Sequence, residues 1–248
     1  MNKGKTEKIK KSYSDRVFDI VNIVIMLALL VIFLWPLWFV VIASFSNPNE
    51  VWNGNVILLP KGFTLSAYEA VSQYKMIWTG YKNTIIYTVV GTFINLVMTI
   101  CAAYPLSRKD FVPRNFLMFI FMLTMYFSGG MIPGYLNIKS LGLLDTRGVI
   151  LINGLVSTFN LIVARTYFMT SIPWEIQEAA VIDGCNDFQI FGKIIFPLSK
   201  AITVVMTLYY GVGRWNSYFV EMIYLKDRNK FPLQLFLREI LTKSTFAK

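Results

Sequence analysis

Two runs of the chain restrict its fold class more than any other feature. Ile20 to Phe45 carries no Asp, Glu, Lys or Arg, and neither does Thr84 to Ser107. Each is longer than the roughly 20 apolar residues a helix needs to cross a hydrocarbon core of about 30 Å. Lipid offers no water to backbone N–H and C=O groups, so such runs become helices, which satisfy those groups internally. Asn115 to about Gly129 and Gly148 to Ala164 are also uncharged, and Ala201 to Val220 is interrupted only by Gly211, Gly213 and Arg214. The sequence therefore predicts an all-α integral membrane protein, a helical bundle of about five spans. Composition agrees: 55% hydrophobic residues and a mean hydropathy of +0.53 are too apolar for an ordinary soluble domain.

Charge gives the expected organisation. Residues 1–19 form a basic N-terminus with Lys3, Lys5, Lys8, Lys10, Lys11 and Arg16; 20–222 form the membrane domain, with a polar loop at 171–200; 223–248 form an outer loop or tail. With the N-terminus inside, inner segments through Lys200 hold twelve Lys and Arg residues and the outer loops five. Cytoplasmic loops carry the positive excess, so the 171–200 loop is expected inside. Seven further cations, from Arg214 onward, fall at or beyond the outer face and run against a simple count. The net charge of +10 fits inner loops and anionic headgroups, and no basic patch interleaved with aromatics suggests nucleic acid.

Several chemistries are excluded. Histidine is absent, which removes the commonest general base and metal ligand. Cys101 and Cys185 have no partner spacing, and no metal site is expected. The first four spans hold no charge before Arg165, whereas an ion-coupled carrier normally keeps an ionisable group in the bilayer core. Lys5 and Lys193 follow glycines but lack the rest of a phosphate-binding loop. No catalytic residues are expected, and energy must come from a partner.

Residues 173–197, PWEIQEAAVIDGCNDFQIFGKIIFP, read as the socket for that partner. Pro173 suits a helix start and Glu175 and Glu178 its first turns. Gly184 suits its stop, and Asn186 or Asp187 can cap a second short helix. The stretch resembles the signature of permease subunits of binding-protein-dependent ABC importers: Glu178-Ala179-Ala180, then Asp183-Gly184, then Ile194, Ile195, Phe196 and Pro197, with Phe196 where Leu is usual. From Ile20 to Pro232 the chain is similar to the carbohydrate branch, the maltose-type second permease and its polysaccharide-uptake relatives. The resemblance implies a cytoplasmic coupling helix using Glu178, Ala179, Ala180, Asp183, Gly184 and Pro197. It implies a bacterial cell membrane, a sister permease forming a heterodimer, two ATPase subunits that bind ATP and Mg, and an extracytoplasmic solute-binding protein. No cofactor is expected in this chain.

For a sugar path, aromatic faces combined with amide or hydroxyl groups point to Tyr126, Arg214, Trp215, Asn216 and Tyr218. Trp and Tyr near span ends also form interfacial belts. Arg214 is expected to face the path or the outer interface, with Glu221 as an indirect partner. Leu225 to Pro232, with Leu225, Asp227, Phe231 and Pro232, is the expected binding-protein contact. Leu233, Phe236, Leu237, Ile240 and Leu241 share one helix face, so Phe231 to Leu241 is expected to lie along the outer surface. The family has a core of six spans, and the last is expected to be missing here through early termination. A permease for a non-sugar solute shares the same loop. A non-transporting membrane scaffold that docks a soluble ATPase is the reading from another class.

Overall fold

A computed structural model describes residues 12–246, and among them no strand occurs. The chain divides into two units, 1–74 and 75–248.

In the first unit, α1 (Tyr13–Ser44) is a helix of 32 residues, long and apolar enough to cross a membrane. Asp15 accepts from the Ser12 backbone N–H at 3.0 Å, which satisfies one donor at the helix start. Beyond it, Asn47 caps α2 (Pro48–Trp52) by accepting from Asn49 N–H at 3.0 Å. Phe45 stacks between Phe63 and Tyr68, which fixes α3 (Ser66–Gln73).

The second unit is built around α4 (Lys75–Ser107), which starts well before the apolar run at Thr84. It is followed by α5 (Arg114–Tyr126), α6 (Met131–Ser140), α7 (Arg147–Ile152), α8 (Thr158–Ser171), α9 (Trp174–Ile182), α10 (Asp187–Gln189), a π-helical segment Ile190–Ile195, α11 (Phe196–Leu198), α12 (Lys200–Trp215), α13 (Phe219–Tyr224), a 3₁₀ turn Arg228–Lys230 and α14 (Leu233–Phe246). α4 packs against α12, α8 and α14. Ile100, Ala103, Leu161, Ala164, Ile202 and Met206 meet at the centre, each at most 4% exposed. Lipid tails are as apolar as these side chains, so close packing holds helices together there, and Ala103 and Ala164 permit close approach.

The spans are less regular than the apolar runs suggest. Among the described residues, α1 and α4 alone are long and apolar enough to cross a membrane as single helices. α5 and α6 are bent by 115°, and the 187–198 segment and α12 by 77°; counting each pair as one span gives four. The uncharged run 148–164 is broken between α7 and α8 at residues 153–157.

α14 differs from the expected surface helix. Leu233, Leu235 and Phe236 are at most 5% exposed, whereas Leu237, Ile240 and Leu241 are 39%, 44% and 68% exposed. The helix packs on α4 by its first turn, where Leu233 N–H donates to Thr84 Oγ1 at 2.8 Å. The approach depends on Gly80: a Cβ there would lie 2.9 Å from the Phe236 ring and 3.0 Å from Leu233 Cα. Leu233 backbone cannot yield as a flexible side chain does. Gly80→Val should therefore cost about 1–3 kcal/mol, the usual range for overpacking. Thermal unfolding of the purified protein checks this, with Gly80→Ala expected to fall between wild type and Gly80→Val.

Candidate functional site

The 173–199 loop forms two short helices joined by a sharp turn. Pro173 occupies the cap position rather than the first helical one, and α9 runs to Ile182. Gly184 has φ 80, a conformation that costs a side-chain-bearing residue about 1–2 kcal/mol. The turn closes α9 through Cys185 N–H to Ala180 O at 3.0 Å and Gly184 N–H to Val181 O at 3.0 Å. Asn186, not Asp187, caps α10: its Oδ1 accepts from Gln189 N–H at 2.9 Å, and Gln189 Oε1 accepts from Asn186 N–H at 3.0 Å. Pro197 is exposed in α11, just before the bend at Ser199.

The two alanines have different surroundings. Ala180 is 4% exposed and belongs to the central cluster, so its small size serves this chain's own packing. Ala179, Glu178, Asp183 and Gly184 are exposed. Beside them stand Val181, Ile182 and Phe188 at 54%, 85% and 89% exposure. These apolar residues extend the surface beyond the motif, and the sequence reading did not select them. Glu178 is not free: its Oε1 accepts from Trp174 Nε1 at 2.6 Å, and Lys109 Nζ lies 5.6 Å from the Trp174 ring centroid. The i, i+4 spacing of Trp174 and Glu178 was the available signal.

Arg108 ties this loop to α4. Its guanidinium pairs with Asp110 and, at 2.6 Å, with Asp187 Oδ1 of α10. Beneath it lies the Tyr104 ring, which packs on Phe191 of the π-helical segment. Hydrogen bonding from Arg108 holds the Asp110 carboxyl below its ordinary value of 3.8. Because the folded value is the lower one, this link is fully present above the ordinary range and is lost as pH falls through the lowered value.

At the other end, Asp145, a left-handed residue at φ 56, accepts Lys226 and Asp227 N–H on Oδ1, each at 3.0 Å. Those backbone bonds, first that of Asp227, hold its carboxyl low. Lys230 Nζ lies 3.3 Å from Asp145 Oδ2. Asn83 Nδ2 donates to Asn229 O at 2.7 Å and Phe231 O at 3.0 Å, and Tyr87 donates to Lys230 O at 2.8 Å. Of the candidate contacts here, Leu225 and Pro232 are buried, Phe231 is half-buried, and Asp227 Oδ1 caps the 3₁₀ turn by accepting from Asn229 N–H at 2.9 Å. Leu225 and Pro232 therefore cannot offer their side chains to a partner in this conformation. Lys226, Arg228 and Asn229 are the exposed positions.

The candidate path residues are not one cluster. Tyr126 is 83% exposed at the end of α5. Tyr218 carries the Arg238 guanidinium over its ring at 5.2 Å. Trp215 and Asn216 line a cavity of about 300 Å³ with Thr88 and Thr207 between α4 and α12. Arg214 points into the bundle. It donates to Ile150 O, to Asn153 O at 3.0 Å and to Asn95 Oδ1 at 2.9 Å. Asn95 Nδ2 donates to Gly154 O at 2.9 Å, and Ser157 N–H donates to Tyr210 Oη at 3.1 Å. Arg214 thus binds the open end of α7 and the break that follows. Glu221 accepts from Ser217 Oγ at 2.8 Å and feels the charge of Arg214 without a hydrogen bond to it among the described residues.

Residues 76–225 match the model of the binding-protein-dependent transport system inner membrane component family. The chain belongs to that family. It is 38% identical over 93% of its length to the polygalacturonan/rhamnogalacturonan transport system permease protein YtcP of Bacillus subtilis (strain 168), covering 80% of that protein. It is 38% identical over 92% of its length to protein LplC of the same organism, covering 77% of it. Among solved structures it resembles a chain of a bacterial ABC transporter involved in the import of the acidic polysaccharide alginate, with TM-score 0.88 and 41% identity over 94% of this chain and 82% of that one. The chain is accordingly an integral membrane subunit of a transport system, with the all-α fold of such permeases.

Two substitutions test the geometry. Arg214→Gln leaves carbonyls of the break without donors, and each buried polar group left unpaired costs about 1–3 kcal/mol. A fall in unfolding temperature is expected, and unchanged stability would show the carbonyls find other partners. Arg108→Gln removes the ion pairs to Asp110 and Asp187 while keeping the length of the side chain nearly the same. Limited proteolysis should then cut the 183–189 turn faster than in wild type, and acid should no longer accelerate that cleavage.

Proposed function

We propose that this chain is one transmembrane permease of an ATP-driven, binding-protein-dependent importer of an oligosaccharide or polysaccharide. The observation that carries the reading is the 173–197 loop. A fixed left-handed turn at Gly184 presents Glu178, Val181, Ile182 and Phe188 together, and the rest of the loop is anchored to the bundle. Such a patch, apolar with one oriented carboxylate, fits a groove on a partner. The carbohydrate assignment is supported by the relatives, of which one is named for polygalacturonan and rhamnogalacturonan and another imports alginate.

In the mechanism we propose, ATP and Mg are bound by two ATPase subunits docked on this loop, and the sister permease completes the translocation path. Closure of the ATPases moves the loop, and the bundle alternates its access. The N-terminus lies inside, and the 225–232 segment faces the solute-binding protein, chiefly through Lys226, Arg228 and Asn229. Trp215 and Asn216, with Thr88 and Thr207, offer an aromatic face, an amide and hydroxyls to the sugar.

Glu178→Lys reverses the oriented charge, and Gly184→Val opposes the left-handed turn. Both are expected to reduce uptake in vesicles to background while the protein remains membrane-inserted. Wild-type uptake by either variant, with the ATPase still bound, would defeat the docking role. A scaffold has no reason to respond to solute, so ATP hydrolysis stimulated by sugar-loaded binding protein separates the two readings.

A further inference from the structure

A second cavity, of about 320 Å³, lies behind the coupling loop, between α9, the end of α8 and the 108–113 turn. Lys109 and Arg114 supply two cations, Gln177 and Glu175 supply acceptors, and Phe168 and Met169 supply an apolar wall. Among the described residues neither cation forms an ion pair. Arg114 donates to the Arg108 carbonyl at 2.9 Å, and Lys109 Nζ stands over the Trp174 ring. Close by, Arg165 donates to Leu106 O at 2.8 Å and feels the charge of Arg114. The three cations outnumber the nearby carboxylates, Glu175 in the lining and Asp110 beside Arg114, and so favour an anion. The acceptor side is equally unsatisfied: Gln177 is 6% exposed, yet its Oε1 has no hydrogen-bond partner. Native proteins rarely leave such an atom unpaired without a ligand or water to fill the role.

We infer that this cavity binds the headgroup of a glycerophospholipid whose terminal group donates hydrogen bonds. The phosphate sits on Lys109 and Arg114. The terminal ammonium of ethanolamine, or the hydroxyls of glycerol, donates to Gln177 Oε1 and the Glu175 carboxylate. Met169, half exposed, meets the start of the acyl chains. The cavity also lies where the bundle's apolar helices give way to the polar loop, the depth at which headgroups lie and basic pockets between helices bind them.

The assembled transporter would be reconstituted with equal phosphatidylethanolamine, phosphatidylglycerol and phosphatidylcholine, extracted, and its retained lipids counted by native mass spectrometry. The choline headgroup has a phosphate but no hydrogen-bond donor. Ethanolamine and glycerol lipids are expected to be retained over choline lipid. Lys109→Gln and Arg114→Gln should each lower retention about fivefold, the equivalent of one surface charge near a membrane. Arg114→Lys, which keeps the charge, should largely restore it. Gln177→Leu should abolish the preference against choline lipid while total retention falls less than in the charge variants. Equal retention of the three lipids in wild type, or unchanged retention in both charge variants, would overturn the assignment. So would inorganic phosphate binding at the site with no lipid retained.

Discussion

A break between packed helices must bring its own hydrogen-bond partners, and the second unit is arranged around one such break. Between α7 and α8 the chain leaves helical geometry at residues 153–157, and its backbone groups lose their intrahelical partners there. Partners come from two other helices. Arg214 of α12 and Asn95 of α4 bind the carbonyls of Ile150, Asn153 and Gly154, and Tyr210 accepts the N–H of Ser157. A charge inside a membrane domain is usually a sign of function. Here the guanidinium is spent on backbone, and this explains how α4, α8 and α12 can share one core around an interrupted helix.

The loop at residues 173–199 is stabilised by the opposite means. There polar groups are plentiful, and charge does the joining. Arg108 pairs with acids on its own turn and on α10, and Lys109, Trp174 and Glu178 form a chain across α9. Surface ion pairs are individually weak, but Arg108 has 13% side-chain exposure and several partners at once. The loop keeps its shape while Val181, Ile182 and Phe188 stay outward.

Sequence alone was sufficient for the membrane class and for the helix–turn–helix shape of the 173–197 loop, because both are written in local pattern. Uncharged length identifies α1 and α4, and Gly184 sits where only a left-handed turn closes α9. What local pattern does not carry is which side chain meets which. Ala179 and Ala180 look equivalent in sequence but face opposite ways. Arg214 looked like a path residue because its acceptors lie more than 60 positions earlier in the chain. Leu225 and Pro232 looked available, yet they sit beneath a loop that Asn83 and Tyr87 pull down onto α4. The break at 153–157 is signalled by Asn153-Gly154 and Ser157, but an uncharged run conceals them when length and charge alone are read. The packing of α14 was hidden for a related reason: its apolar stripe is continuous, and only contact with α4 decides that the first turn is the buried part.

α4 is a single helix of 33 residues, about 50 Å long at 1.5 Å per residue. Near its start Asn83 and Tyr87 grip the 229–231 segment, and just past its end Arg108 grips α10. Those two attachments lie at opposite ends of one stiff rod. Sliding or tilting of that rod is then a coordinate that both faces of the membrane share. A displacement imposed at α10 reaches the far loop without a relay of small side-chain moves, and a clamp on the far loop resists motion at α10 by the same route.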